Sequence, residues 1–356
     1  MADVARLAGV SVPTVSRVVN GYTHVTPEVR ERVQQAIAQL RYRPNSVARA
    51  LVTNRTKRLG VITYALSVTS PSLALLGVSE EARAAGYSTN LVTLDSVSAD
   101  SVRSALGHLA DDAVDGVILL APMVETAHSL AGLELPMPVV SFEQGATGAD
   151  AAVALDEVLA AQLGTRHLLE LGHDTVHFVR GPDGWMATEA REQGWRRELT
   201  IAGRHAPEPI PCADWGVASG YRAGQRLATT AGVTAALVAN DTMCLGVYKA
   251  LAEAGLRVPH DVSVVGFDDA PESAYYLPPL TTLRLDFEAA GRSALRRLLR
   301  MLGEEVGDGS GGEDGGEGEG DGGTDAVDPP APELVVRSST APPRDHVGTE
   351  ADRTRD

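Results

Sequence analysis

The stretch Asp3 to Asn20, DVARLAGVSVPTVSRVVN, constrains this chain more than any other, because it fits two short helices and a tight turn into a few residues. Val4, Leu7 and Ala8 have the i, i+3, i+4 spacing of one helix face, and Gly9 breaks that pattern. Ser11 can cap a second helix through its hydroxyl, and Pro13 is tolerated because first-turn N–H groups have no intrahelical acceptor. The second helix is therefore expected from Val12 to Asn20. Val15, Val18 and Val19 form its buried stripe, leaving Thr14, Ser16, Arg17 and Asn20 for phosphates and base edges. A third helix starts at Thr26-Pro27, a cap followed by proline at the first helical position, with Val29, Val33, Ile37 and Leu40 on one face. Such a unit implies recognition of a DNA sequence.

Charge agrees with that reading. Residues 1–58 carry ten Lys or Arg against Asp3, Glu28 and Glu31, a net of +7, while the whole chain is −16 and the remainder is therefore −23. A basic head on an acidic body places a polyanion at one end only. With 356 residues and 44% hydrophobic content, two to three domains with sizeable cores are expected. Cys212 and Cys244 form no CxxC pair, so neither a disulfide framework nor a zinc site is indicated and a reducing cytoplasm fits. The most apolar run, Val117 to Val124, is too short to span a bilayer, and no secretion signal opens the chain.

Beyond the head lies RPNSVARALVTNRTKRLG, in which Val47, Ala48, Leu51 and Val52 can form one short amphipathic helix. Alone it is too short to be stable in water, so it folds only with DNA or a second copy in support. From Leu59 strands and helices alternate, LGVITY, STNLVTL, VDGVILLA, MPVVSF and AAVAL first, then TVHFV, AALVAN, VSVVGF and TTLRL. That rhythm predicts two similar halves of parallel sheet with crossover helices, and binding sites at the carboxyl ends of the strands. Glu304 to Asp328 holds ten Asp or Glu and no Lys or Arg, and no core can form from it. PELVVRSSTAPP from Pro332 regains strand character, so the acidic stretch reads as an insertion before a last strand, either a passive spacer or a DNA-repelling element. GDGSGG from Gly307 fits GxGxxG, but no strand precedes it and no helix follows.

TVSRVVN followed by HVTPEVRERVQQAIAQLRYRPN resembles the DNA-binding headpiece of the lactose-repressor (LacI) family of bacterial transcription regulators. ADWGVASGY, LVANDTMCLG, DVSVVGFDD and YLPPLTTLRLDF stand in the order and spacing that family uses, and over roughly 59–302 the similarity to the member for which it is named is close. The resemblance implies a lambda-repressor-like helix-turn-helix headpiece and a periplasmic-binding-protein-like α/β core of two parallel-sheet subdomains. The boundaries it suggests are a headpiece over 1–45, a hinge and linker over 46–58, a core over 59–302 plus 332–343, the acidic insertion over 303–331 and a disordered tail over 344–356. It implies a homodimeric repressor on a near-palindromic operator, released by a sugar in the cleft between the halves and needing no cofactor. Arg17, Val12 and Pro13 are the expected base readers. Ser11, Thr14, Ser16, Asn20, His24 and Asn45 join them as DNA contacts, mainly to phosphates. Leu51 matches the side chain that the family's paired hinge helices push into the minor groove.

For the effector, Arg191, Trp215, Asn240, Asp268 and Phe287 match the family's inducer contacts, and Ser70 and Pro71 match the other cleft wall. A sugar needs charged or amide groups for its hydroxyls and an aromatic face for its ring, and this set supplies both. Phe287 could equally be core, Asp241 could be the cap of the helix near Thr242, and Trp195 follows a core spacing. The chain departs from the pattern at Glu143, where Asp is expected, at Ala187, where a Ser hydroxyl is expected, and at Trp185, which is added. A different glycoside is therefore expected. The family usually has a few more residues before the first helix, so the start is expected to lie upstream, and the absence of leucine heptads after Val336 predicts a dimer rather than a tetramer. Hydrolytic, phosphoryl-transfer and metalloprotease motifs are absent from the sequence. His173 and His177 make HxxxH without a third ligand. Asp268 and Asp269, as strand-end neighbours, are expected to point apart rather than act as a catalytic pair. A sugar-binding protein without a regulatory role and a glycoside enzyme are the rival readings; the first would lack the basic head.

Overall fold

The computed structural model describes residues 1–19, 22, 24–42, 55–121, 123–124, 136–142, 152–153, 155–304 and 329–344. The chain divides into two compact units, 1–57 and 58–356.

The first unit holds α1 (Ala2–Ala8), α2 (Val12–Val19) and α3 (Pro27–Gln39). Gly9 ends α1 at φ 64°, a left-handed cap that glycine adopts without steric cost. Val4, Ala5, Ala8, Val15, Val18, Val33 and Ala36 close the small core. Two expected core positions lie elsewhere. Leu7 is 46% exposed and Leu40 43%. On α1, Ala5 rather than Leu7 joins Val4 and Ala8 in the core, so the buried stripe lies on the other side of Val4 from the one expected. Leu40 is the C-cap of α3 and sits beyond its last buried turn.

The second unit contains two sheets. The first has order β2-β1-β3-β4-β5, built from β1 (Arg58–Thr63), β2 (Ser88–Thr93), β3 (Gly116–Leu120), β4 (Val139–Phe142) and β5 (Ala152–Val153), all parallel. Helices α4 (Thr69–Ala84) and α5 (Ala99–Asp111) are its crossovers. The second sheet has order β10-β9-β8-β7-β6. Its strands are β6 (His177–Val179), β7 (Ala235–Val238), β8 (Ser263–Phe267) and β9 (Thr281–Arg284), which run parallel, and β10 (Glu333–Val335), antiparallel to β9. Its helices are α6 (Glu157–Glu170), α7 (Met186–Ile201), α8 (Val217–Thr229) and α9 (Asp241–Glu253). Strands β3, β7 and β8 are buried along their whole length, as parallel strands covered on both faces are.

The halves are not two consecutive stretches of chain. Helix α10 (Phe287–Met301) follows β9 in sequence but packs on α4 and over β3 and β4 of the first sheet, and the chain then returns to the second sheet as β10. Glycines permit the crossing: a Cβ on Gly291 would strike the carbonyl of Ala74, and one on Gly77 the carbonyl of Glu288. Periodicity predicts that α10 is amphipathic but not which sheet it covers. The segment after the acidic stretch is sewn to the second sheet. Val264 N–H donates to the Ser339 carbonyl at 2.9 Å, and Ser263 Oγ to the Ala341 carbonyl at 2.9 Å. Helix α8 was not expected from the sequence, because its buried face is Ser219, Gly220, Ala223, Gly224 and Leu227, too small to register as a hydrophobic stripe. Among the described residues, no helix is long and apolar enough to cross a membrane.

Candidate functional site

On the headpiece, Ser11 Oγ accepts from Thr14 N at 3.3 Å and lies 2.8 Å from Thr14 Oγ1, so it caps α2 and locks its first turn. Val12, Pro13 and Arg17 stand exposed on the same helix, with Thr14 and Ser16 half-buried beside them. His24 is exposed in the following turn. Tyr22, passed over in the sequence, is also exposed there, its backbone tied to Arg17 and Arg30 by bonds of 3.0 and 2.8 Å. An aromatic in a polar turn beside a recognition helix was the available signal. Asn20, Asn45 and Leu51 lie outside the described residues.

In the core, strand ends and helix starts converge on a buried guanidinium. Arg191 on α7 is 2% exposed. Its Nε donates to Glu157 Oε2 at 2.6 Å, its Nη2 to Glu157 Oε1 at 3.1 Å and to Asp268 Oδ1 at 3.2 Å, and its Nη1 to the Ala239 carbonyl. The ring of Phe267 lies 4.4 Å from the guanidinium carbon and that of Trp215 5.7 Å. Burial works against this charge, yet Glu157 and Asp268 hold Arg191 above its ordinary pKa. Asp268 leaves β8 at φ 96°, a conformation that turns its carboxylate toward Arg191. Burial raises its pKa, Arg191 pulls it down and Glu157 raises it again. Glu157 was not anticipated. It is the first residue of α6, after the Asp156 cap, and nothing in LDEVLAA distinguishes it from a helix-start carboxylate.

Asn240 is the N-cap of α9: its Oδ1 accepts from Met243 N at 2.8 Å, and its Nδ2 donates to the Trp215 carbonyl at 3.3 Å. Asp241 is therefore not the cap. It is buried instead, accepting from Ala270 N at 2.9 Å and from Ser273 Oγ and Thr282 Oγ1 at 2.6 Å each. Burial, and then the Asp268 charge, push its pKa up to about 7 against the pull of those bonds. The folded protein thus keeps a proton that the unfolded chain has released above its ordinary value of 3.8. Stability from this group is present at low pH and lost as pH rises through about 7. We predict that the urea midpoint of the native protein falls between pH 5.5 and 8, and that Asp241→Asn reduces this fall; an identical pH profile in the variant would refute the assignment.

The profile described as bacterial regulatory proteins, lacI family, matches residues 1–45, and that of the periplasmic binding protein-like domain matches 165–340. The lactose operon repressor of Escherichia coli K12 is 34% identical over 83% of this chain and 82% of its own length. The chain belongs to the LacI family. The HTH-type transcriptional repressor PurR of Haemophilus influenzae is 32% identical over 83% of this LacI-family chain and 89% of its own. Among solved structures, the Lac repressor dimer bound to operator and the anti-inducer ONPF aligns with TM-score 0.77 at 30% identity, covering 95% of this chain and 98% of that one. The transcriptional regulator CelR in complex with cellobiose aligns with TM-score 0.66 at 30% identity, covering 95% and 98%. These relatives are repressors and regulators rather than enzymes.

The remaining expected contacts of this LacI-family core divide by position. Ser70, half-buried, and Pro71, buried, lie in the first turn of α4, beyond the carboxyl end of β1. Trp185 sits between Tyr64 of the first half and Trp215 of the second, at centroid distances of 6.1 and 5.5 Å. Val124 N–H donates to the Gly184 carbonyl at 3.0 Å across the same seam. Ala187 is half-buried on α7. Thr188 Oγ1 and Trp215 Nε1 are buried without a hydrogen-bond partner, and Thr188 Oγ1 and the six-membered ring of Trp215 lie against Gly181. Phe287 is 2% exposed and belongs to the hydrophobic core. Trp195 is core as well, stacked on Phe178 at 5.4 Å, with Nε1 donating to the Val176 carbonyl at 2.9 Å. Glu143 lies outside the described residues. Of the two HxxxH histidines, His177 is in β6, whereas His173 lies in the preceding loop, bonded to Thr234 Oγ1 and the Ala341 carbonyl. Asp269 accepts from Arg284 and Arg337, so it faces away from the Asp268–Arg191 contact. Among the described residues no group of His, Cys, Asp or Glu could hold a metal ion.

Proposed function

We propose that this protein is a sugar-responsive repressor that binds a near-palindromic operator as a homodimer and is released when a glycoside enters the core cleft. The observation that carries this reading is the joining, in one chain, of a helix-turn-helix that exposes Val12, Pro13 and Arg17 to a core that gathers Arg191 and Asp268 beside Trp215. Arg17 reads a base edge, while the apolar Val12-Pro13 pair fits thymine methyls or groove shape and makes no bidentate hydrogen bond. Thr14, Ser16, Asn20, His24 and Asn45 set register on phosphates, and Tyr22 extends that surface. Asp268, Asn240 and the Thr188 hydroxyl serve sugar hydroxyls, Trp215 and Trp185 serve the ring, Ser70 and Pro71 complete the wall, and Glu143 is a further effector contact in this reading, whereas Phe287 supports the site from the core. Relatives named as lactose and ribose operon repressors, and the cellobiose complex of CelR, support a carbohydrate operon. Exposed Tyr275 and Leu277 offer an apolar patch for the second copy. The reading places the protein in the bacterial cytoplasm, at the nucleoid when bound.

A gel shift on DNA flanking the protein's own gene, repeated with mono- and disaccharides, tests operator, effector and sign together. A retarded band abolished by at least one glycoside is expected; no retardation at low salt would overturn the reading. In the same assay Leu51→Ala should weaken specific binding about tenfold and non-specific binding far less, because a minor-groove wedge acts only on the kinked site. Equal losses on both DNAs would remove the wedge.

A further inference from the structure

We propose that Glu157 sets the charge class of the effector: it fills the fork of Arg191 and thereby reserves the cleft for uncharged glycosides against phosphorylated or carboxylated sugars. This rests on the effector reading above.

A guanidinium has five N–H groups and recognises a carboxylate or phosphate through two adjacent ones. In Arg191 the Nε and Nη2 edge is already spanned by both oxygens of Glu157, the second Nη2 proton goes to Asp268 and one Nη1 proton to the Ala239 carbonyl. A single N–H is left. The rings of Phe267 and Trp215 lie 4.4 and 5.7 Å from the guanidinium carbon and crowd the approach further. The ion pairs give this cluster one cation for two carboxylates among the described residues, and Asp241 lies behind them. An anionic sugar entering here would meet surplus negative charge without an open fork, and like charges brought together in a desolvated site repel strongly. Hydroxyl groups meet the opposite situation, the Asp268 carboxylate, which accepts from them. The buried, partnerless hydroxyl of Thr188 and indole N–H of Trp215 stand in the same half and likewise suit neutral oxygen-rich ligands. Glu157 belongs to the unit of residues 58–356, and it is held in place by its own helix start: Asp156 caps α6 through Leu159 N at 2.8 Å.

The test is isothermal titration of the full-length protein with lactose, galactose and cellobiose, and with galactose 6-phosphate and galacturonate. The native protein, Glu157→Gln and Glu157→Asp are compared. The native protein is expected to bind a neutral sugar and neither anion. Glu157→Gln should strengthen binding of an anionic sugar about tenfold or more while changing the neutral one less than about threefold. Glu157→Asp, which keeps the charge, should keep the rejection and separates charge from shape. An anionic sugar bound by the native protein as tightly as a neutral one would overturn the proposal without any variant. A neutral sugar bound by all three proteins with an unchanged ranking in Glu157→Gln would overturn it while leaving the effector reading standing. Operator binding with no sugar of either class bound would overturn both.

Discussion

Asp268→Ala is expected to leave operator affinity within about twofold of the native protein and to abolish release by sugar. Asp268 sits at the carboxyl end of β8, in the unit that does not contain the helix-turn-helix, so its loss removes no DNA contact. In the proposed reading its carboxylate, held beside Arg191, accepts from a sugar hydroxyl, and a hydroxyl buried without a partner costs about 1–3 kcal/mol. That is the whole size of a typical allosteric coupling, about 5–150-fold, so one lost contact suffices to erase it. The backbone adds to the effect. Asp268 adopts φ 96°, which Ala tolerates poorly, whereas Asn accepts left-handed conformations more readily. Asp268→Asn should therefore retain partial response. Fluorescence anisotropy on labelled operator, titrated with and without sugar, reads both quantities. Weakened operator binding in the absence of sugar would count against Asp268 as an effector contact.

Gly291→Leu should unfold the core at ordinary temperature or lower its stability by about 3 kcal/mol or more. Its added carbon would enter the carbonyl of Ala74, and backbone on both sides leaves no flexible side chain to give way. The site is the crossing of α10 over α4, where Gly77 meets Glu288 in the reciprocal arrangement. Gly107, inside α5 with open space around it, is the internal control. There Gly107→Ala should stabilise by up to about 1 kcal/mol, the helix-propensity difference alone. Urea unfolding followed by circular dichroism distinguishes the two signs. Equal effects at both positions would show that helix propensity, not close packing, governs α10.

What was legible in the sequence follows the range of the interactions. Gly9 as a stop, Ser11 as a cap and Val15 and Val18 as a stripe are decided within one or two helical turns, and all are found in place. The strands from LGVITY to TTLRL are read from runs of apolar residues, and the structure forms a strand at each. Helix α8 escaped because its packing face is made of glycine, alanine and serine, which carry little hydrophobic signal although they allow the closest approach to α9. Within the cleft, Arg191 and Asp268 stood on the page as residue types suited to hydroxyls, but the partner that claims most of Arg191 did not.

By itself, the sequence determined a basic helix-turn-helix joined to an acidic, strand-helix-strand core with polar groups at its strand ends, because capping, periodicity and charge are local properties. The tertiary structure alone decided three things. Helix α10 covers the first sheet although it follows the second in sequence, since only there do Gly77 and Gly291 let two backbones meet. Asn240 rather than Asp241 caps α9, since Asp241 is drawn inward by Ser273, Thr282 and Ala270. Glu157 holds Arg191, an ion pair across 34 residues of sequence that no spacing rule encodes. Each depends on backbone geometry that brings distant residues within a few ångströms, and that geometry exists only once both sheets have formed.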